Sequence, residues 1–479
     1  MDKLETLEAN VKNQNIDAAI NDNHCGLTPA FWEGFAATYW EKEAFVEKEG
    51  LVMPPITEEE LFKCVVDMSI KHCQVRDAGG DKNDVRVYVK GIQVEKNYDQ
   101  LFPKLDDKNF AGYSKRITEI LEGQAFAFVI DEITMPPSMK TWTHSFLKGM
   151  YRPLGAISQG SFWSIFFGNY TSTPYGVHDH SNPTFAESAF YFPIVGEKEM
   201  VVWRPDYVKK NKGLKGTHEF TEYLDGASHL LAKPGGMIYW PSDRWHVGSS
   251  EGGDVSIVLA VKGFSDVYLE FLYAILGQPM MFSYKPSGIR KWVGNLTESF
   301  LFVGHVAGLF FSKKARRAQV RNLPFDVDDL QTSAQTIPDG LKKIGRRSNL
   351  RFYFGENVDR ALSVFWLSYL TNLGAESQND RYPPIKLSSD LRVRRGGEIV
   401  LLWRQVDSEV LLLVADRYSH EVPLIFLPLI KYFADMDAGQ EIVYDSLVGL
   451  TSELGLTSKK SEEELEGLLT FLGMSGTLR

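Results

Sequence analysis

The segment TPYGVHDHSNPTF, residues 173–185, decides how the chain is read. It sets His178 and His180 two positions apart, and in an extended strand side chains at i and i+2 share a face. Both imidazoles can then meet one ion, while Asp179 between them turns to the opposite face. A third histidine, His246, stands in GGMIYWPSDRWHVGSS, residues 235–250, after a Gly-Gly turn, an apolar strand and a Pro-led turn. That turn aims the next strand back across the sheet. Imidazole nitrogen suits borderline transition metals such as Fe(II), and three protein ligands leave positions for substrate and dioxygen. Ordinary polar positions of a β-domain are the competing reading of the same histidines. Lys198 opens a further strand in GEKEMVVW, residues 196–203. Facing inward beside a metal it would pair with a dicarboxylate as a compact point charge; a turn lysine in solvent is the alternative.

Outward from these motifs, residues 160–263 alternate aromatic and β-branched runs with Gly, Pro, Asn and Asp turns. FWSIFFGNY, FAESAFYFPIV, MVVWRP, GGMIYWP and DVSIVLAV are the runs, and they make this region strand-rich. Before it, residues 27–48, 58–73 and 98–122 read as helices, with strands at Val85–Val89 and in FAFVIDEI, residues 126–133. After Phe264 the period returns to helical as far as about residue 322. Two basic patches, KKARRAQVR (313–321) and KKIGRRSNLR (342–351), read as solvated faces. YPPIKL (382–387) reads as a linker or edge, because paired prolines exclude a helix interior. Short strands over 391–395, 399–404 and 409–415, then helices over 421–435, 441–452 and 461–473, predict a small α+β unit at the end.

The chain has 479 residues, enough for two or three domains, and is 44% hydrophobic and 24% charged, which excludes wholesale disorder. Its formal charge of -10 argues against a surface built for nucleic acid or an anionic membrane. Cys25, Cys64 and Cys73 form no disulfide framework and lack the paired spacing of a thiolate zinc site. The acidic opening MDKLETLE has no signal-peptide pattern, and Val267–Phe282 is too interrupted to span a bilayer. A soluble, cytoplasmic protein is the expectation.

At its histidine and lysine motifs the chain resembles the cupin-fold, JmjC-type 2-oxoglutarate-dependent oxygenases, nearest their ribosomal-oxygenase and asparaginyl-hydroxylase branch. FFGNYTSTPYGVHDH (166–180) is similar to that family's entry strand, IVGEKEMVVWRP (194–205) to its G-x-K strand, and GGMIYWPSDRWHVGSS to its distal-histidine strand. LTPAFWEGFAATYWEKEAFV (27–46) resembles its N-terminal helix, and the tail from Pro384 its winged-helix-like module. The resemblance implies an α+β fold: a double-stranded β-helix (jelly-roll, cupin) core over 126–264, a mostly helical region over 1–125, a helical dimerisation segment over 265–340, and a winged-helix-like domain over 341–479. The apolar runs YLEFLYAIL and FLFVGHVAGLFF within 265–322 fit such a homodimer.

It further implies Fe(II) ligation by His178 and His246, and a 2-oxoglutarate carboxylate on Lys198, with Thr173 and Tyr175 beside it. Where the family has H-x-D, this chain has His180. Either three imidazoles hold the iron, or Glu187 in the following SNPTFAES reaches it. Trp163, Phe167, Tyr170, Tyr191, Tyr239 and Trp245 flank the motifs as candidate pocket walls, each equally able to be core. Arg204 and Arg244 are available to an anionic substrate. The implied reaction uses O2 to hydroxylate an amino acid, a peptide or protein side chain, or a related natural-product intermediate. A three-histidine cupin dioxygenase working without 2-oxoglutarate and a non-catalytic cupin-fold binding protein are the alternatives. No side-chain acid or base is assigned.

Overall fold

The strand-rich region forms two antiparallel sheets whose inner faces meet. In the computed structural model, residues 25–77, 85–95, 99–155, 158–182, 185–249, 253–263, 326–339, 341–342, 358–373, 384–389, 391–396, 400–415 and 418–478 are described. The strands, in chain order, are β1 (Phe45–Glu47), β2 (Val85–Val89), β3 (Ile92–Gln93), β4 (Phe126–Ile130), β5 (Ser158–Asn169), β6 (Ser181–Asn182), β7 (Phe185–Val195), β8 (Lys198–Trp203), β9 (Ala227–Ala232), β10 (Met237–Trp240), β11 (Trp245–Ser249) and β12 (Val255–Gly263). The large sheet runs β1-β10-β7-β12-β5-β4-β2-β3, with β6 paired to β7, and the small one runs β11-β8-β9. Strands from the N-terminal 125 residues therefore extend the same sheet as the motif strands.

Both faces of the large sheet are covered, which is why its strands read as nearly unbroken apolar runs. On β5, Trp163, Ile165 and Phe167 turn to the helical side, where they join Phe190, Phe192 and Tyr239 in the main core. The other face meets the small sheet: Ala189, Tyr191, Ile238, Trp240 and Val258 pack on Met200, Val202, Leu230 and Ala232. The chain crosses between sheets at Gly196, whose φ of 75° and closeness to the Asp254 carboxylate leave no room for a Cβ. Lys198, two residues later, thereby starts β8 on its inner face.

The helical side is α1 (Pro29–Thr38), α2 (Glu58–Asp77), α3 (Phe110–Ile120) and α4 (Pro137–Leu154). Thr28 caps α1, its hydroxyl accepting the Phe31 N–H at 3.2 Å. The helix read over 27–48 stops at Thr38. Glu41 takes a left-handed φ of 51°, and Phe45–Glu47 then pair with β10 instead. Likewise the expected helix over 98–122 reduces to α3 after two short 3₁₀ turns, because Pro103 interrupts it and Asn109 supplies a new cap onto Gly112 at 2.8 Å. Helix α4 had no counterpart in the sequence reading, although Pro136-Pro137 is a helix-start signal. It buries Met139, Trp142 and Phe146 in the main core.

Beyond the sandwich come α5 (Pro205–Lys210), α6 (Leu330–Ala334), α7 (Val358–Asn372), β13 (Arg392–Arg394), β14 (Leu401–Gln405), β15 (Val410–Ala415), β16 (Tyr418–Pro423), α8 (Leu427–Asp435), β17 (Glu441–Val443), α9 (Tyr444–Glu453) and α10 (Lys459–Met474). The last region is mixed α+β with its own core of Leu413, Phe426, Leu429, Phe433, Leu468 and Leu472. The expected helices at 421 and 441 each begin instead as a strand, β16 and β17. The apolar segment 265–322 and the patch 313–321 lie outside the described residues, as does the second patch apart from Lys342, which pairs with Asp339 at 3.5 Å. Among the described residues no helix is long and apolar enough to cross a membrane.

Candidate metal centre

His178 and His246 are cross-strand partners, exchanging backbone hydrogen bonds of 3.1 and 2.8 Å across an isolated bridge. His180 is tied in by its N–H to the Ser242 carbonyl at 3.0 Å, and its own carbonyl accepts the Glu187 N–H at 3.2 Å. The three rings converge, with centroid separations of 4.4, 4.9 and 5.2 Å, and one ligand nitrogen from each lies within 4.8 Å of the others. Asp179 is turned away and accepts the Ser181 hydroxyl at 2.5 Å.

Each of two rings is already oriented. The Nδ1 of His178 lies 2.9 Å from the Gly176 carbonyl, and that of His246 lies 3.0 Å from the Arg244 carbonyl. A carbonyl only accepts, so Nδ1 carries the proton and Nε2 keeps its lone pair for a ligand. His180 Nδ1 is buried without a hydrogen-bond partner, 3.9 Å from a Glu187 carboxylate oxygen. Burial holds His178 below the usual histidine range. Burial, then the neighbouring imidazoles, does the same to His180 and His246. Three neutral imidazoles in one place are the donor set a divalent transition metal takes.

The same inner space holds Lys198, which is 1% exposed. Its ammonium donates to the Tyr170 hydroxyl at 2.9 Å and sits 4.6 Å from that ring's centroid and 5.8 Å from that of Tyr191. Burial pulls its pKa down to about 7, against a weaker pull upward from Asp254. No carboxylate in the described residues makes an ion pair with it. Gly248, on the inner face of β11, lets Met200, Lys198 and Thr173 pack close: a Cβ there would lie 2.7 Å from the Met200 sulfur and 3.3 Å from the Lys198 and Thr173 side chains. Around the inner space the Thr173 hydroxyl and the indole N–H of Trp240 are buried with no hydrogen-bond partner among the described residues, and the Tyr191 and Ser256 hydroxyls face each other. A cationic floor and unused donors fit a bound carboxylate.

Sheet parity divides the remaining candidates. Tyr170 and Tyr191 face the inner space, and Tyr175 packs its ring 5.3 Å from that of His178 while its hydroxyl lies 3.3 Å from that of Tyr88. Trp163, Phe167 and Tyr239 are not brought to the site. They lie on the helical face, with Trp163 donating to Thr143 at 3.0 Å. Trp245 turns outward to carry the Lys215 ammonium 4.7 Å above its ring. Arg204 is exposed and pairs with Glu43 at 2.7 Å, and Arg244 bonds Asp243 and the Lys42 carbonyl. Sequence reasoning missed Trp240, stacked 4.8 Å from His246, and the Arg86–Asp131 pair beside Tyr175. Counting parity from Tyr191, whose neighbour across the sheet is Ile238, would have selected Trp240 over Tyr239.

No protein-family model matches the chain, and no curated protein matches it either. Among solved structures it is similar to the ribosomal oxygenase YcfD from Escherichia coli in complex with cobalt and 2-oxoglutarate. That likeness has 13% identity and a TM-score of 0.40, and covers 94% of this chain and 97% of that one. The same protein with cobalt and succinic acid gives 12% identity, a TM-score of 0.40 and the same coverage. At such values the chain's chemistry has to be read from its own side chains.

Proposed function

We propose that this chain is a non-haem iron, 2-oxoglutarate-dependent oxygenase on a double-stranded β-helix (jelly-roll, cupin) core, hydroxylating an amino-acid, peptide or protein side chain. One observation carries the reading: a fully buried lysine with no ion pair among the described residues shares an inner space with three neutral imidazoles. His178, His180 and His246 are assigned to hold Fe(II), with Glu187 behind His180 rather than on the metal. Lys198 and the Tyr170 hydroxyl are assigned to the far carboxylate of 2-oxoglutarate. The unused donors of Thr173 and Trp240, with the Tyr191 hydroxyl beside them, are assigned to its remaining oxygens. Bound iron and 2-oxoglutarate together supply dioxygen activation coupled to oxidative decarboxylation. The chain's own part is placement: carbonyl-locked rings, a charge at the floor, and walls that keep water out. Tyr175, at the side of His178, is assigned to the substrate end.

Anaerobic titration of the Fe(II)-loaded protein with 2-oxoglutarate tests this. A weak visible charge-transfer band is expected in the wild type, absent in His246→Ala and in Lys198→Ala. Iron binding with no band at millimolar 2-oxoglutarate sinks the assignment. The all-imidazole ligand set favours one second reading, a three-histidine dioxygenase that binds substrate directly on the metal, and oxygen uptake without succinate release would establish it. A cytoplasmic homodimer joined through residues 265–340, with a winged-helix-like module over 341–479, completes the proposal. A monomer by light scattering at micromolar concentration would refute the dimer.

A further inference from the structure

Residues Glu41–Glu43, in the loop between α1 and β1, reach both sides of the histidine cradle. On one side the Glu41 carboxylate accepts the hydroxyls of Ser188 and, at 3.3 Å, Ser242. Ser242 is the residue whose carbonyl takes the His180 N–H, and Ser188 follows Glu187, whose N–H takes the His180 carbonyl. On the other side Arg244, whose carbonyl orients the His246 ring, gives its guanidinium to the Lys42 carbonyl and lies 3.6 Å from the Glu43 carboxylate.

The loop is held in an uncommon shape. Glu41 has a left-handed φ of 51°, a conformation that costs a residue with a Cβ on the order of 1 kcal/mol, and its N–H is turned onto the Tyr239 hydroxyl at 3.0 Å. Its carboxylate makes no ion pair among the described residues, and its partners are the two serine hydroxyls. A loop that only joined a helix to an edge strand would have no need of an acid hydrogen-bonded to a serine on each side of His180's backbone partners.

We propose that Glu41–Glu43 is a clamp on the metal cradle, with Glu41 the positioning residue for His180 and Arg244 the relay to His246. The proposal rests on the metal part of the function given above and not on 2-oxoglutarate or the substrate. Outer partners of metal ligands typically contribute 10–100-fold in affinity. Breaking the clamp therefore acts on the geometry of the bound ion without emptying the site.

The test is Co(II) titration of the full chain, read by the visible ligand-field spectrum and by calorimetry, with metal-free thermal unfolding alongside. Wild type is expected to bind one Co(II) that His246→Ala abolishes. If wild type does not bind, the metal reading itself fails. Glu41→Ala is expected to weaken Co(II) roughly 10–100-fold and alter the spectrum while the metal-free unfolding midpoint holds. Glu41→Gln, whose amide oxygen still accepts from one serine, is expected to recover part of the loss. Ser242→Ala keeps the carbonyl to His180 and covers the case in which Glu41→Ala does not fold. It is expected to weaken binding, and to add nothing further in combination with Glu41→Gln. Wild-type affinity and spectrum in both Glu41→Gln and Ser242→Ala would overturn the clamp.

Discussion

The two faces of the large sheet are equally buried and chemically opposite. The helical face is a packed aromatic core: Phe190 touches Phe35, Phe146 and Tyr239 at centroid distances of 4.9–5.7 Å, and Trp163 has found Thr143 for its N–H, while Trp32 and Trp142 leave theirs without a partner among the described residues. The inner face, one residue away along the same strands, presents Tyr191, Ser256 and the unpartnered Trp240 N–H to Lys198 and His246 on the small sheet. Native interiors rarely leave polar atoms unused. A side chain's neighbours along the strand therefore say little about its work; what decides is which sheet it faces.

Substitutions on the two faces separate them. The largest effect belongs to the helical face: Phe190→Ala is expected to cost about 3–5 kcal/mol in chemical denaturation. If it costs no more than an inner-face truncation such as Tyr191→Ala, the contrast between the faces is false.

On the inner face Lys198→Met is expected to raise the stability of the metal-free protein by a few kcal/mol near pH 6, where the wild type buries a charge. The sign follows from linkage. Lys198 has a folded pKa of about 7 against 10.5 in an open chain, so between those values the unfolded state binds more protons. Wild-type stability accordingly climbs with pH across that window, and the Lys198→Met profile lacks that rise. The same titration governs ligand affinity: 2-oxoglutarate binding, followed by calorimetry, is expected to weaken roughly tenfold per pH unit above about 7. Affinity independent of pH from 7 to 9 would place the carboxylate elsewhere.

A smaller effect sits behind the helical face. His144, on α4, is buried with its pKa pushed down to about 4, by burial first and then by Lys148 and Lys140. Its neutral form is the one the fold accepts, so stability falls as pH drops from 6.5 towards 4, by at most about 3 kcal/mol. In metal-saturated protein, which keeps the site histidines neutral, His144→Phe is expected to flatten that slope in unfolding curves. An unchanged slope would assign the acid sensitivity to other groups. The smallest expected change is Trp163→Phe, which loses one hydrogen bond for about 1 kcal/mol and leaves Co(II) affinity untouched. A shift in metal affinity there would show that the two faces communicate.

Much of the candidate site was legible before the fold. The i, i+2 spacing of His178 and His180 needs only strand geometry, and the glycine turn at 196 puts Lys198 at a strand start. The pocket walls were less so: of the aromatic residues flanking the motifs, Tyr170 and Tyr191 face the inner space while Trp163, Phe167 and Tyr239 do not. An aromatic run buried on both faces has no polar alternation, so period alone cannot tell which members look inward. The helix expected to run from 27 to 48 failed for a related reason. Phe45 satisfies a helical stripe as well as a strand, and pairing with β10 settled the choice.

The sequence by itself determined the donor chemistry: which imidazoles can converge, which lysine can reach them, and where the strands lie. Those are short-range matters, set by side-chain type and by a repeat of two. Only the tertiary structure decided that Lys198 makes no ion pair among the described residues, that Glu187 stands behind His180, and that Glu41 grips two serines 147 and 201 residues away in the chain. Such relations depend on how two sheets and a loop stack in space, and neither spacing nor composition encodes that stacking.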